Sequence, residues 1–214
     1  MKKRGIRAII FDIGGVLSLG KYEKKSVDGH HLLGVHNFMA EYLGIDLDTW
    51  FDAIDTSYAR SIEGKISKNE ALETMAKNLN ISVSKLHRLF ISAYKKHFRK
   101  NDFLYKIAYQ LKKKGYIIGI LSDQWYLSKE ALILQKDIQG FDPVIVSCDI
   151  GIRKPNPLIY KFLIKKIKLK PHEILFIDNR EWNLRPAREL GIKTILFKDN
   201  KSIIRSLIIK GIEL

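Results

Sequence analysis

Four polar residues stand at or just after the ends of apolar runs and a fifth stands in the loop after another such run, and their types suit the transfer of a charged group. They are Asp12, Ser122, Asp123, Lys154 and Asp178. A carboxylate can attack an electrophile or hold a cation, while a hydroxyl and an ammonium can bind anionic oxygens. Together they supply the groups that phosphoryl transfer needs.

The apolar runs that carry these residues are typical of strands buried on both faces of a parallel sheet. They cover residues 6–11, 116–121, 143–146, 174–177 and 194–197. Helical patterns lie between and after the later runs, at residues 103–114, 157–168, 183–189 and 202–210. Strands that alternate with helices predict an α/β fold with a doubly wound parallel sheet.

The segment from about Ser18 to Lys100 interrupts this alternation and shows helical patterns only, at residues 31–43, 47–61, 68–79 and 84–98. Ser67 followed by Glu70 is a capping-box pattern, and Ser82 and Ser84 are candidate caps of the last helix. The sequence therefore predicts an α/β core domain of residues 1–17 and 101–214, with an inserted helical cap domain of residues 18–100.

The ends of the predicted strands are expected to meet, because ligands of parallel sheets bind beyond the carboxyl ends, where the strand order reverses. Each residue alone has an ordinary explanation: an Asp serves a turn, a Ser caps a helix and a Lys is solvated. Several strand ends that deliver complementary groups are hard to explain in this way. We therefore expect Asp12, Ser122, Lys154 and Asp178 to converge.

These segments resemble the four motifs of the haloacid dehalogenase-like (HAD) hydrolases, in the same order and with matching spacing. The motifs are residues 11–17 (FDIGGVL), 120–123 (ILSD), 151–157 (GIRKPNP) and 176–179 (FIDN), continuing to Asn183. The helical insert stands where the helical cap of this family stands, and residues 63–67 (EGKIS) are similar to a common cap phrase. The resemblance implies a Rossmann-like core with an inserted cap.

The resemblance also implies a Mg²⁺-dependent phosphatase that acts on a small phosphorylated metabolite through an aspartyl-phosphate intermediate. The implied catalytic residues are Asp12, Ser122 and Lys154, the implied phosphate-binding residues are Ser122, Asp123 and Lys154, and the implied metal ligands are Asp12, Asp178 and the carbonyl of Gly14. Asn179 could contribute a further oxygen near the ion, since Mg²⁺ prefers oxygen ligands.

The chain departs from the commonest family pattern at Gly14. That position usually carries a second Asp, which protonates the leaving oxygen and then activates water, a contribution of about 10²–10⁴ in rate. A Gly at this position is familiar in one branch of the family whose members are regarded as phosphatases. Asp123 could supply a proton, although we expect it to cap the following helix. We expect Asn183 to open the helix after residues 174–177 and to be structural.

Two other functions remain open. A haloacid dehalogenase uses the same Asp without magnesium, but typically recruits an arginine after the first strand, where residues 18–26 contain only lysines as basic residues. A HAD-fold binding or regulatory protein with weakened catalysis is the other, although it would not need the whole set of site residues. Arg153 could reach an anionic substrate, and the aromatic residues of the cap are expected to be core.

Composition limits the remaining classes. The 214 residues, 46% hydrophobic and 29% charged, suffice for one domain with an insertion and exclude disorder. A net charge of +15 would attract a small phosphorylated substrate, but nothing resembles a nucleic-acid-binding motif, and no apolar run could span a membrane. The single cysteine, Cys148, fits a reducing compartment, so we expect a cytoplasmic protein. The oligomeric state stays open.

Overall fold

The computed structural model describes residues 5–21 and 33–213. Its strands are β1 (Ala8–Phe11), β2 (Ser18–Gly20), β3 (Phe98–Lys100), β4 (Ile117–Ser122), β5 (Val144–Val146), β6 (Ile174–Asp178) and β7 (Lys193–Leu196). Five of them form a parallel sheet in the order β5-β4-β1-β6-β7, and β2 pairs with β3 antiparallel. The chain thus builds outward from the central strand β1 in both directions.

The helices divide into two groups along the chain. Between β2 and β3 lie α1 (Leu33–Leu43), α2 (Leu47–Ile62), α3 (Lys68–Asn78) and α4 (Val83–His97). After β3 come α5 (Asp102–Lys113), α6 (Tyr126–Leu132), α7 (Gln135–Ile138), α8 (Ser147–Ile150), α9 (Pro157–Ile167), α10 (Glu181–Glu189) and α11 (Asn200–Ile209), with a short 3-10 turn at Pro171–Glu173. We call the first group the cap helices.

Both faces of the parallel sheet are covered, as its apolar strands require. On β1, Ile9 and Phe11 pack in one cluster with α5 and α11, while Ala8 and Ile10 pack in another with α9 and α10. All four residues of β1 are fully buried. The predicted doubly wound α/β fold with a helical insert is confirmed.

The predicted insert of helices only was wrong at both of its ends, because Ser18–Gly20 and Phe98–Lys100 are strands. Three-residue strands are too short to show an alternating pattern, and their pairing joins segments far apart in sequence. The first cap helix, predicted from residue 31, is described from Leu33; residues 31 and 32 lie outside the described residues. The short helices α6, α7 and α8 were not predicted.

The predicted caps of the cap helices are largely confirmed. The Ser67 hydroxyl accepts the backbone N–H of Glu70 at 3.1 Å, and the Ser82 hydroxyl accepts that of Lys85 at 3.2 Å. The prediction for Ser84 was wrong, because its hydroxyl bonds to that of Ser82 at 3.3 Å. Ser82 precedes the helix in extended conformation, which is the geometry that a cap needs.

The cap helices pack onto α6 of the core. Trp125, which precedes α6, belongs to the apolar cluster of the cap, and its ring nitrogen donates to the Tyr94 hydroxyl of α4 at 2.7 Å. The Tyr126 hydroxyl donates to the Ile66 carbonyl at 2.8 Å. Gly64 has a φ of +60°, and a Cβ there would lie 2.5 Å from the Cys148 carbonyl. These contacts seat the cap helices over the carboxyl edge of the sheet.

None of the helices in the described ranges is long and apolar enough to cross a membrane.

His36 is a buried polar residue among the aromatic side chains of the cap. Its Nδ1 accepts the ring N–H of Trp50 at 3.0 Å, and its ring lies within 5.1–6.1 Å of those of Trp50, Phe51 and Tyr58. Burial lowers the pKa of His36 from 6.5 to about 4. The folded protein therefore keeps this ring neutral at pH values where the unfolded chain would charge it.

This difference predicts that stability falls as the pH falls through the window from 6.5 to about 4, since the unfolded state binds the proton first. We expect the free energy of unfolding of the wild type, relative to His36→Gln, to drop by about 2 kcal/mol between pH 7 and pH 5. Urea unfolding of both proteins measures it, and the shared carboxylates cancel in the comparison. A difference that is constant with pH would contradict the buried neutral ring.

Candidate active site

Strand register places the two acidic residues side by side. Phe11 pairs with Ile177 of β6, and the N–H of Asp12 donates to the Ile177 carbonyl at 2.9 Å. Asp12 therefore stands beside Asp178, the last residue of β6, while Ser122 ends β4 on the other side of β1. The sheet order reverses at β1, so these residues meet at the switch point, where parallel sheets bind ligands.

The Lys154 ammonium bridges the two carboxylates. Its Nζ lies 3.1 Å from Asp12 Oδ1 and 2.6 Å from Asp178 Oδ2, and its side chain is 1% exposed. Burial by itself would lower the pKa of Lys154, but the charges of Asp12, Asp178 and Asp123 raise it above its ordinary value. The ammonium stays charged and offsets two buried carboxylates that would otherwise repel each other.

The environment of Asp12 leaves it ionised at neutral pH. Burial raises the pKa of Asp12 to about 6. The positive charge of Lys154 and the nearby Ser122 hydroxyl limit this increase, whereas the negative charge of Asp178 adds to it. The backbone N–H of Ile13 donates to Asp12 Oδ1 at 2.8 Å and fixes the orientation of the carboxylate. A pKa below 7 keeps most of the molecules in the anionic form, which a carboxylate nucleophile requires.

Asp178 is held by donors on both of its oxygens. In addition to Lys154, the side-chain amide of Asn183 donates to Oδ2 at 3.0 Å, and the backbone N–H of Arg180 donates to Oδ1 at 2.8 Å. The backbone carbonyl of Asn183 in turn accepts a hydrogen bond from the Tyr160 hydroxyl at 2.6 Å. Asn183 thus orients Asp178. The prediction that Asn183 opens its helix was wrong, because α10 begins at Glu181.

Ser122 is fully buried and is hydrogen-bonded to a residue that the sequence analysis missed. The side-chain amide of Gln124 donates to the Ser122 hydroxyl at 2.9 Å, and the backbone N–H of Gln124 donates to the Ser147 hydroxyl at 3.1 Å. Gln124 is 6% exposed. The sequence feature that could have indicated Gln124 is its position as a polar residue between the end of a strand and an apolar segment.

The predicted role of Asp123 as a helix cap was wrong. Helix α6 begins at Tyr126, and Asp123 Oδ1 instead accepts the backbone N–H of Lys154 at 3.0 Å. This bond fastens the loop that carries Lys154 to the end of β4. Burial raises the pKa of Asp123, while the Lys154 charge and this hydrogen bond act against the rise.

Oxygen atoms suited to a hard cation surround the Asp12–Asp178 pair. The Gly14 carbonyl accepts no backbone hydrogen bond from the described part of the chain, and Gly14 lines the cavity. Asn179 Oδ1 is buried and has no hydrogen-bond partner among those residues. Carboxylate, amide and carbonyl oxygens are the ligands that Mg²⁺ prefers, so this donor set fits the ion. The set contains two carboxylates only, and no cluster of three or more His, Cys, Asp or Glu side chains that could hold a metal is found in residues 5–21 and 33–213.

The absence of a side chain at Gly15 leaves room for the Asn179 side chain. A Cβ at Gly15, whose φ is +77°, would lie 2.2 Å from Asn179 Nδ2 and 2.8 Å from its Cγ. A Cβ at the neighbouring Gly14 would meet no atom within 4 Å. The two adjacent glycines therefore differ: Gly15 is required by both backbone conformation and close packing, whereas the space above Gly14 is open.

A cavity of about 100 Å³ lies over these residues, between the cap and the core. Core residues in its wall include Asp12, Asp123, Gln124, Trp125, Arg153, Lys154 and Arg180, and cap residues in its wall include Tyr58, Ile62 and Tyr94. The Tyr94 hydroxyl accepts the ring N–H of Trp125 at 2.7 Å, and the Tyr58 ring lies 5.2 Å from that of Trp125. The cap thus presents a mainly aromatic wall to the polar strand ends.

The two glycines form a matched pair of test positions. We expect Gly15→Ala to lower the free energy of unfolding by about 2–3 kcal/mol, because it combines a left-handed backbone with a clash. Gly14→Ala should change it by less than about 1 kcal/mol, because the added methyl meets open space. Urea unfolding measures both values. Equal losses in the two variants would contradict the described packing of Asn179.

Comparison with known proteins shows the family of this chain. The family model of haloacid dehalogenase-like hydrolases matches residues 6–191. Bifunctional epoxide hydrolase 2 of Rattus norvegicus is 28% identical over 94% of this chain, which spans 38% of that protein's length. D-ribitol-5-phosphate phosphatase of Bacteroides thetaiotaomicron is 25% identical over 88% of this chain and 90% of its own.

Further similarities concern a dehalogenase and the fold. (S)-2-haloacid dehalogenase 4A of Burkholderia cepacia is 33% identical over 40% of this chain and 38% of its own length. A magnesium complex of a HAD family enzyme from Bacteroides thetaiotaomicron has a TM-score of 0.66, 21% identity, and coverage of 94% of this chain and 99% of that chain. From the match to the family model, this chain belongs to the haloacid dehalogenase-like hydrolases.

Proposed function

We propose that this chain is a Mg²⁺-dependent phosphatase that hydrolyses a small phosphorylated metabolite. The observation that carries the proposal is the buried Lys154 ammonium, which lies within 3.1 Å of both Asp12 and Asp178 at the carboxyl edge of the sheet. The similarity to a D-ribitol-5-phosphate phosphatase over most of both chains supports the same class of reaction.

In the first step, a carboxylate oxygen of Asp12 attacks phosphorus. The new O–P bond forms as the ester O–P bond breaks, and the departing alkoxide takes a proton from water. Splitting the displacement in this way replaces one difficult step with two easier ones. In this proposal, Lys154, which lies 3.1 Å from Asp12, and Ser122, at the end of the neighbouring strand, bind the oxygens of the phosphoryl group.

In the second step, water attacks phosphorus of the aspartyl-phosphate, which releases inorganic phosphate and restores the Asp12 carboxylate. Lys154 stays charged throughout and opposes the build-up of negative charge at the strand ends. The position of Gly14 provides no acid to assist either step, although the space above it is open. Asp123 lies beside Lys154 with a raised pKa but bonds to its backbone.

The residues that would hold Mg²⁺ are Asp12, Asp178 and the carbonyl of Gly14, with the orphan oxygen of Asn179 beside them. When bound, the ion neutralises phosphoryl charge and orients the group for in-line attack. The buried, unpaired oxygen of Asn179 supports this assignment, because a buried polar atom without a partner costs free energy unless a ligand satisfies it.

A haloacid dehalogenase is the second candidate, favoured by the similarity to the Burkholderia cepacia enzyme. It would use Asp12 to displace halide from carbon and would need no metal. The oxygen-rich surroundings of Asp12 and Asp178 would then have no task in catalysis. We therefore place this function behind the phosphatase.

We also propose a cytoplasmic location, because a single unpaired cysteine fits a reducing compartment. The Cys148 thiol is buried, and burial together with the charge of Asp149 raises its pKa to about 11. A thiol in this state is a poor nucleophile, so Cys148 has no part in the proposed chemistry.

The proposal predicts that Asp12→Asn lowers turnover by at least about 10³-fold, because the amide cannot form the acyl phosphate. Wild type, Asp12→Asn and the surface control Asp102→Asn are compared on a panel of phosphorylated metabolites, each with Mg²⁺ and with EDTA. We expect activity in the wild type and the control with Mg²⁺, and none with EDTA.

Three results would contradict this account. Full activity of Asp12→Asn would remove the proposed nucleophile. Activity that survives EDTA on a haloacid, without phosphatase activity, would favour the dehalogenase. Binding of Mg²⁺ with no turnover of any phosphate ester would favour a HAD-fold binding protein.

A further inference from the structure

Two arginines line the cavity without a carboxylate partner. Arg153 and Arg180 share its wall with Asp12 and Lys154. Within the described ranges, neither guanidinium has a carboxylate oxygen within 4.0 Å, although the Arg153 charge opposes the rise in the pKa of Asp123. The described arginines outside the cavity either form ion pairs, as Arg7, Arg185 and Arg188 do, or are exposed to solvent. Two half-buried cations without an ion pair leave a local positive charge for a ligand to satisfy.

Both arginines share the cavity wall with Tyr58 and Tyr94 of the cap helices. Burial raises the pKa of the Tyr58 hydroxyl, and the charges of Arg153 and Arg180 are among the influences that lower it. The Arg180 Cζ lies 5.4 Å from the centre of the Trp182 ring, a cation–π contact that helps to position it.

A different cation contacts Asp12. Lys154 Nζ lies 3.1 Å from Asp12 Oδ1 and is shared with Asp178 Oδ2, whereas neither arginine lies within ion-pair distance of Asp12. The cavity therefore has a cation at its floor for the group that is transferred. Its second source of positive charge is Arg153 and Arg180, which are half-buried where Lys154 is buried, and which share the wall with Tyr58 and Tyr94 of the cap helices.

We propose that Arg153 and Arg180 form a second anion subsite, and that the substrate carries a carboxylate or a second phosphate besides the phosphoryl group that is removed. The proposal rests on the phosphatase function given above. A planar guanidinium donates paired N–H groups that match either anion, which an uncharged polyol would leave unpaired.

The test measures binding of three phosphonates, which cannot be hydrolysed at their C–P bonds. Propylphosphonate, 2-carboxyethylphosphonate and ethane-1,2-bisphosphonate share one phosphonate end and differ at the other, which is a methyl, a carboxylate or a second phosphonate. Dissociation constants come from calorimetry on the wild type, with Mg²⁺ in excess. We expect one charged compound to bind at least about 10-fold more tightly than propylphosphonate. Which compound does so distinguishes a carboxylate from a phosphate.

The variants assign the preference to the arginines. The preference is the dissociation constant of propylphosphonate divided by that of the charged phosphonate. Arg153→Gln and Arg180→Gln should each reduce this ratio by about 10-fold. Arg185→Gln, on the exposed side of α10 and paired with Glu189, should retain the wild-type ratio. Arg153→Lys and Arg180→Lys, which keep the charge without the paired donors, should give intermediate ratios.

Equal affinity of the wild type for all three phosphonates would overturn the subsite, and so would a ratio that neither Arg→Gln variant changes. The wild-type comparison needs no variant to fold. Because it needs no turnover either, it separates the two proposals. Ester hydrolysis without any preference for a second charge would remove the subsite alone, and a preference without hydrolysis would remove the phosphatase alone.

Discussion

The buried ammonium of Lys154 is the interaction on which the rest of the site depends. Two carboxylates, Asp12 and Asp178, lie next to each other at the ends of adjacent strands, where burial penalises their charge. Without a cation between them, one would take up a proton and lose its value as a nucleophile or ligand. The Lys154 ammonium lies within 3.1 Å of both carboxylates and opposes the rise in the pKa of Asp12, and the loop that carries it is tied to β4 through Asp123.

The fold supplies this arrangement through register and closure. Parallel pairing of β1 with β6 brings Asp12 level with Asp178, and pairing with β4 brings Ser122 to the other flank. The cap helices, seated on α6 by the Trp125–Tyr94 hydrogen bond, then cover the polar edge with aromatic side chains. Electrostatic interactions strengthen where side chains are buried, as Asp12 and Lys154 are at this edge.

Much of the fold and of the site was readable from the sequence, for identifiable reasons. The strands of the parallel sheet are buried on both faces, so their apolar runs stand out, and their carboxyl ends locate Asp12, Ser122 and Asp178 directly. Lys154 could be placed because its motif follows the strand before it. The roles assigned to these residues are still predictions, as is the division of the chain into core and cap domains.

What the sequence did not reveal depends on contacts between distant segments. β2 and β3 exist because they pair with each other, and their three residues carry no pattern of their own. Asp123 had the residue type and position of a helix cap, but its Oδ1 instead accepts a hydrogen bond from the backbone N–H of Lys154. Gln124 and Tyr58 face the cavity only through the meeting of core and cap, which no local spacing encodes.

The most direct test of the central claim is to quench the enzyme with acid during turnover of a phosphate ester and to locate the covalently bound phosphoryl group by mass spectrometry of its peptides. If the carboxylate that Lys154 keeps ionised is the nucleophile, the phosphoryl group will be found on Asp12. A phosphoryl group on another residue, or single-turnover release of phosphate with no modified Asp12 at any quench time, would contradict the account.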